Sequence, residues 1–174
     1  MRTSFQFFFF LFCFGLNAQT SFEAQVVVPL QKNSIPQEKI LAAIEAADEA
    51  MYRAGIVAVG DISNKTDTTT TKAKSKIRYY TFVEMFDFLQ DAGAAATFKQ
   101  YYEVFEGQSG AQDGNQKSCV PHAPYTVSKT LFQKINEANA QEGITVSIHN
   151  QETPHEDELF LTKTGGFIEF YKNF

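Results

Sequence analysis

The chain has 174 residues, 44% apolar and 20% charged, enough for one domain with a sizeable core and too apolar for a disordered segment. A net charge of −5, with Lys and Arg scattered rather than clustered, argues against a nucleic-acid partner, because phosphate binding needs a basic patch. The two cysteines, Cys13 and Cys119, give neither a CxxC metal spacing nor a disulfide framework.

The first residues are unlike the rest. Arg2 precedes the run FQFFFFLFCFGL and then Asn17-Ala18-Gln19, the basic, apolar and small-residue order of a secretory signal. The run is too short to span a bilayer, so no membrane association is expected beyond export. Residues 1–32 therefore stand apart as an atypical N-terminal segment, either signal-like or read out of frame, and residues 33–174 as the folded domain.

From residue 33 the pattern becomes regular. NSIPQEKILAAIEAADEAMYRAG reads as a helix: Ser34 and Gln37 have capping-box spacing, and Pro36 suits an early helical position. Ile40, Leu41, Ile44, Ala47 and Met51 form one apolar stripe, and Gly55 is the stop. IVAVGDI is then a short apolar run expected of a strand buried on both faces. SNKTDTTTTKAKSK reads as a polar loop.

KIRYYTFVEMF is aromatic and β-branched enough for a second strand, with FLQDAGAAATFKQYYEVFEG behind it as a helix. A Gly/Gln-rich loop leads to SCVPHAPYTV, a strand plus loop. SKTLFQKINEANAQEG is a helix with Ser128 as cap, Leu131, Phe132, Ile135 and Ala138 as stripe and Gly143 as stop. ITVSIHNQE is a fourth strand. Strands alternating with helices predict an α/β fold of parallel βα units, whose active groups sit beyond the strand C-terminal ends. No phosphate-binding Gly pattern is present.

The three histidines separate by position. Thr153-Pro154-His155-Glu156 has the form of a capping box with proline at the first helical position, and Glu156, Asp157 and Glu158 complement the helix dipole, so His155 and this acidic run are read as a helix start. His149 and Glu152 precede that cap. His149 ends an apolar strand, where an imidazole lone pair could meet a metal, and Glu152 is near enough to carry protons at the same mouth. A strand-end imidazole also serves by hydrogen-bonding a backbone carbonyl, so both readings stand for His149 and for His122, held between two prolines in PHAP. Glu84, at the end of the second strand, fits a pocket or a surface equally well.

HAPYTVS at 122–128, Gly143 and IHNQET at 148–153, with the upstream AADEAMYRAGIVAVGDI, resemble the amidohydrolase superfamily, in the branch of chlorohydrolases, cytosine and guanine deaminases and S-adenosylhomocysteine deaminases. The likeness covers roughly residues 33–174. It implies part of a (β/α)8 barrel, about strands 2 to 5, with a divalent metal, zinc or iron, at the strand C-terminal mouth. By position, His149 matches a metal ligand, Glu152 the carboxylate that shuttles a proton between the metal-activated water and the leaving nitrogen or halide, and His122 a catalytic histidine that also contacts substrate. The implied reaction is hydrolysis of a C–N or C–Cl bond in a small heterocycle.

The sequence departs from the family pattern in its other ligands. The family pattern also has an H-x-H on the first strand, a further His on the sixth and an Asp on the eighth; the three histidines here include no H-x-H, and only four strands, resembling the second to the fifth, are read. A full barrel usually needs about 250 residues. The expectation is a partial chain of a metal-dependent hydrolase, cytoplasmic and inactive by itself, with room for a homo-oligomer. The alternatives are a small exported α/β interaction domain and a noncatalytic partner that completes another chain's barrel.

Overall fold

The computed structural model describes residues 35–108, 114–140 and 143–172. The signal-like run, Cys13 and the Ser34 cap lie outside them. Helix α1 (Gln37–Arg53) ends as the sequence predicts: Gly55 takes φ +85°, Gly55 N–H donates to the Tyr52 carbonyl at 2.9 Å and Ile56 N–H to that of Met51 at 3.1 Å. This paired closure satisfies the last helical carbonyls and needs a left-handed residue just past the end. The stripe residues Ile40, Ile44 and Met51 are half-buried, and Leu41 is exposed.

Three strands, β1 (Ala58–Ile62), β2 (Arg78–Met85) and β3 (Gln116–Pro121), form a parallel sheet in that order. Ile62 pairs with Phe82, and Glu84 with Val120, so the C-terminal ends of β2 and β3 lie side by side. The expectation that the first strand is buried on both faces is corrected. Among the described residues β1 is an edge strand whose residues alternate between exposed and half-buried, with Ile62 42% exposed and Val57, just before the strand, 68% exposed. No residue of α1 is fully buried, so α1 does not give β1 a sealed cover.

The Thr-rich stretch is also not all loop. Residues Thr69–Lys74 form a short helix, α2, with Lys72 only 3% exposed. The reason is electrostatic. The Lys72 ammonium lies 2.5 Å from Asp61 Oδ2 and donates to Thr81 Oγ1 at 2.9 Å, while the Asn115 side-chain amide donates to the Lys72 carbonyl. A buried lysine is tolerated only with such partners, and they lie on β1 and β2, out of reach of local pattern reading.

Side-chain alternation on β2 sets the two sides of the sheet. Tyr79, Thr81, Val83 and Met85 are buried; Tyr80, Phe82 and Glu84 point the other way and are half-buried. On the core side, Val83, Met85 and Cys119 pack with Ala94 of α3 (Ala94–Gly107), Val127, and Leu131 and Ile135 of α4 (Lys129–Ala138). Each fully buried aliphatic side chain is worth about 1.5–3 kcal/mol of transfer free energy. The predicted helix over 88–107 starts later than its sequence suggests: a 3₁₀ turn occupies Asp91–Gly93, and Phe88 and Leu89 take φ of +51° and +63°. There the chain is bound elsewhere, because Asp87 and Phe88 N–H both donate to the Thr126 carbonyl and Asp87 Oδ1 accepts from Ser128 N–H.

Ser128 caps α4 as predicted, its hydroxyl accepting from Leu131 N–H. The helix ends at Ala138, before Gly143, because the Asn139 side chain turns to β3: its Oδ1 accepts from Cys119 N–H and its Nδ2 donates to the Cys119 carbonyl at 2.6 Å. The fourth expected strand is absent among the described residues. Residues 144–150 run past β3 with one backbone bond, His149 N–H to the His122 carbonyl at 2.9 Å. Side chains replace the ladder: Ser118 Oγ and Tyr80 OH donate to the Thr145 carbonyl, and Thr145 N–H donates back to Tyr80 OH. The apolar groups Val146 and Ile148 are left 61% and 41% exposed. A short helix, α5 (Pro154–Asp157), runs into a π-helical turn (Glu158–Thr162), and α6 (Gly166–Tyr171) follows.

Candidate metal centre

Three side chains able to ligate a metal meet beyond the C-terminal ends of β2 and β3. Glu84 is the penultimate residue of β2, on the face opposite the core. His122 extends β3 by one residue, its N–H donating to the Met85 carbonyl at 3.0 Å. His149 is tied to His122 by the backbone bond described above, and the two imidazole centroids are 5.1 Å apart. The potential ligand atoms of Glu84, His122 and His149 all lie within 4.8 Å of one another.

Hydrogen bonds orient each ring. His149 Nε2 lies 3.0 Å from Glu84 Oε1, and His149 Nδ1 lies 3.2 Å from Glu152 Oε1. His122 Nδ1 lies 2.6 Å from Thr126 Oγ1, whose hydroxyl donates to the Ala123 carbonyl at 3.2 Å. A hydroxyl has one proton, so that bond makes Thr126 Oγ1 the acceptor from His122 Nδ1–H and leaves the Nε2 lone pair of His122 available. The Phe86 ring meets His122 edge-on at 5.6 Å and Tyr125 does so at 6.2 Å.

Burial sets the proton affinities. The carboxyl of Glu84 is pushed up from the ordinary range by desolvation, an effect that His149 opposes. Desolvation, helped by His149, pulls His122 down to about 4, so its imidazole is neutral at physiological pH.

Two imidazoles and one carboxyl form a donor set suited to zinc or to non-haem iron. A tetrahedral zinc ion with N and O ligands at about 2.0–2.2 Å places its ligands roughly 3.4 Å apart, so side-chain movements of about 1 Å would close this set. The residues present therefore fit the group that the sequence resemblance implies. Glu152 stands behind His149, where a carboxyl on the second ring nitrogen fixes the orientation of a metal-binding imidazole.

His122, His149 and Glu152, which the sequence places at one mouth, lie together in the fold. The sequence by itself leaves Glu84 undecided. The signal for Glu84 was its place at the end of a strand on the polar phase of the alternation, but only the parallel pairing of β2 with β3 brings it to the histidines. His155 stands apart, 63% exposed and paired with Glu158 at 2.9 Å, in keeping with its role in a helix start.

Comparison with known proteins decides the family. The profile of the Amidohydrolase family matches residues 12–174, most of the chain. The chain belongs to the amidohydrolase family. An adenosine deaminase of Helicobacter pylori is 25% identical to this amidohydrolase chain over 138 residues, covering 79% of the chain and 33% of that relative. Two crystal structures of Helicobacter pylori aminofutalosine deaminase share its fold at 23% identity. The complex with methylthio-coformycin has a TM-score of 0.62 over 76% of this chain and 32% of its own, and the second structure a TM-score of 0.63 over 77% and 33%. The chain thus spans about a third of the length of these relatives. Among the described residues no helix is long and apolar enough to cross a membrane.

Proposed function

We propose that these residues form part of the site of a metal-dependent hydrolase that removes an exocyclic amino group from a small nitrogen heterocycle. The observation that carries this reading is the convergence of Glu84, His122 and His149, with ligand atoms within 4.8 Å, at the ends of adjacent parallel strands. The family membership and the two kinds of deaminase among its relatives support amine displacement over dechlorination. They do not favour the exported interaction domain or the noncatalytic barrel partner. In this reading the sheet corresponds to part of a (β/α)8 barrel, with β1, β2 and β3 as about strands 2 to 4 and residues 144–150 in the place of strand 5.

His149 is the proposed metal ligand, and Glu84 and His122 are within reach to complete the set. A divalent cation, zinc or iron, held by these residues would supply Lewis acidity and lower the pKa of a bound water toward neutrality. His122 offers an uncharged Nε2 to the substrate or the cation, with its other nitrogen anchored on Thr126. Glu152, 38% exposed and beside His149, can trade a proton between solvent and the departing nitrogen while keeping the His149 ring in place. Glu84, whose carboxyl is pushed up by burial, would give up its proton on joining that set.

Turnover by the 174 residues alone is proposed to be negligible, because the remaining ligands implied by the family pattern have no counterpart in the sequence. The test is zinc binding by calorimetry on the chain and on H149A, H122A and E84Q. One zinc per chain, lost in H149A and weakened in the other two, supports the reading. Failure to bind, or binding indifferent to H149A, refutes it. Ammonia release from adenosine-type amines, assayed on the same samples, should be undetectable, and measurable release would refute the proposed inactivity of these 174 residues.

A further inference from the structure

As half of a capping box, Glu156 needs its carboxyl to accept one bond, from Thr153 N–H. The structure gives it three. Glu156 Oε1 accepts from Glu152 N–H at 2.7 Å and Thr153 N–H at 3.1 Å, and Oε2 accepts from Gln151 N–H at 2.9 Å. The residue is only 2% exposed. Two of the three donors precede the cap, so they contribute nothing to helix initiation. They belong to the turn that carries the site.

That turn has little else to define it. Residues 150–153 lie in neither helix nor sheet, and Gln151 takes φ +57°, a left-handed conformation that costs a non-glycine residue on the order of 1 kcal/mol. The reversal at Gln151 is what lets the Glu152 carboxyl return to the ring of His149, three residues earlier, at 3.2 Å. Three consecutive N–H groups directed at one buried carboxyl form a concave cradle that fixes successive peptide planes. Freed from it, Gln151 would relax toward negative φ and carry Glu152 away from His149.

We propose that Glu156 is a positioning residue: by gathering the N–H groups of Gln151, Glu152 and Thr153 it holds the Glu152 carboxyl on His149 and so fixes the His149 ring for its ligand. The metal part of this inference rests on the function proposed above; the positioning of His149 by Glu156 does not. Glu156 touches neither reacting atom nor metal ligand directly and acts through the backbone of Glu152.

E156Q is the informative variant, because its amide keeps one acceptor oxygen but turns an NH₂ toward a backbone donor. The first readout is metal-free: amide hydrogen exchange at residues 151–153 and the imidazole ¹⁵N shifts of His149, in the unmodified chain and in E156Q, with E158Q as the control. Protection of the three amides, lost at least 10-fold at one or more of them in E156Q and accompanied by a His149 Nδ1 shift absent from E158Q, is the expected result. Unprotected amides in the unmodified chain, or an unchanged His149 signal in folded E156Q, would overturn the proposal.

The second readout is zinc affinity, expected to fall about 10–100-fold in E156Q, the usual effect of losing a group that supports a metal ligand. An affinity within twofold of the unmodified chain overturns the positioning role while leaving the metal reading intact. If the unmodified chain binds no zinc, the metal reading fails and the metal-free readout still decides the role of Glu156. Should E156Q not fold, zinc added to the unmodified chain tests the coupling from the other direction, since linkage is reciprocal. Zinc should then raise amide protection at 151–153 about 10-fold, and no change would overturn the proposal.

Discussion

Neutralising Asp61 should destabilise the protein far more than removing both members of its buried ion pair. Lys72 is 3% exposed and its ammonium is 2.5 Å from Asp61 Oδ2; among the described residues its other contacts are Thr81 Oγ1 at 2.9 Å and the Tyr79 ring, 5.5 Å from its centroid. Asp61 Oδ2 is buried and makes no directed hydrogen bond, so its contact with Lys72 is an ion pair rather than an aligned N–H···O bond. D61N therefore leaves the ammonium facing an amide, a hydroxyl and the Tyr79 ring, with no counter-charge in contact. Breaking one side of a buried pair costs about 3–5 kcal/mol, a large part of the 5–15 kcal/mol available to a typical domain.

With a urea m value of about 2 kcal/mol/M, that is a fall in the unfolding midpoint of roughly 2 M. The chain has no tryptophan, so far-UV circular dichroism is the natural probe. The double variant D61N/K72M removes both charges and should recover at least 1–2 kcal/mol relative to D61N, because well-packed apolar groups commonly replace a buried pair at little cost. A loss under 1 kcal/mol in D61N, or a double variant whose loss equals the sum of the single losses, would show that Lys72 reaches solvent and that α2 does not depend on this pair.

Other tests bear on the core and its edges. L131A, at a site with no exposure between sheet and helices, should cost about 2–5 kcal/mol by urea titration; a cost below 1 kcal/mol would mean the α4 stripe does not face the sheet. S128A removes the acceptor for Leu131 N–H and should cost about 1 kcal/mol on the same assay. Cys119 is fully buried and its thiol is pushed up to about 12, so peptide-mapped alkylation at pH 8 should modify it only when the chain unfolds, with urea dependence matching the dichroism. Cys119, Tyr101 and Tyr125 all titrate in the folded state at about 12, above their ordinary values of 9.0 and 10.0. Their protonated forms are favoured by folding, so the stability they confer is intact below pH 9 and should fall as pH rises from 9 through 12; a flat or rising profile there would contradict the burial of these groups.

The parts of the fold legible in the sequence are those written in local chemistry. Gly55 and Ser128 announce helix ends because a left-handed residue and a hydroxyl acceptor do their work within four residues of themselves. The aromatic and β-branched composition that marks β2 is local in the same sense, whereas the two faces of the strand emerge only in its burial pattern. The misreadings all involve partners distant in the chain. The Thr-rich stretch folds into α2 because Lys72 finds Asp61 and Thr81, α4 stops early because Asn139 turns back to Cys119, and the expected fourth strand is loosened because Ser118 and Tyr80 take the hydrogen bonds of Thr145.

The site divides along the same line. His149 and Glu152 sit three residues apart and read as a pair, and His122 is marked by its prolines, but Glu84 joins them only through the register that sets it opposite Val120. Glu156 shows how one residue can carry two messages. Its spacing from Thr153 is sufficient for a capping box and gives no sign of the bonds to Gln151 and Glu152, which require the turn at Gln151 to have formed. A helix start and a site support are thus built from the same carboxyl. A polar residue explained by a local rule and yet fully buried therefore has more bonds to account for than the rule supplies.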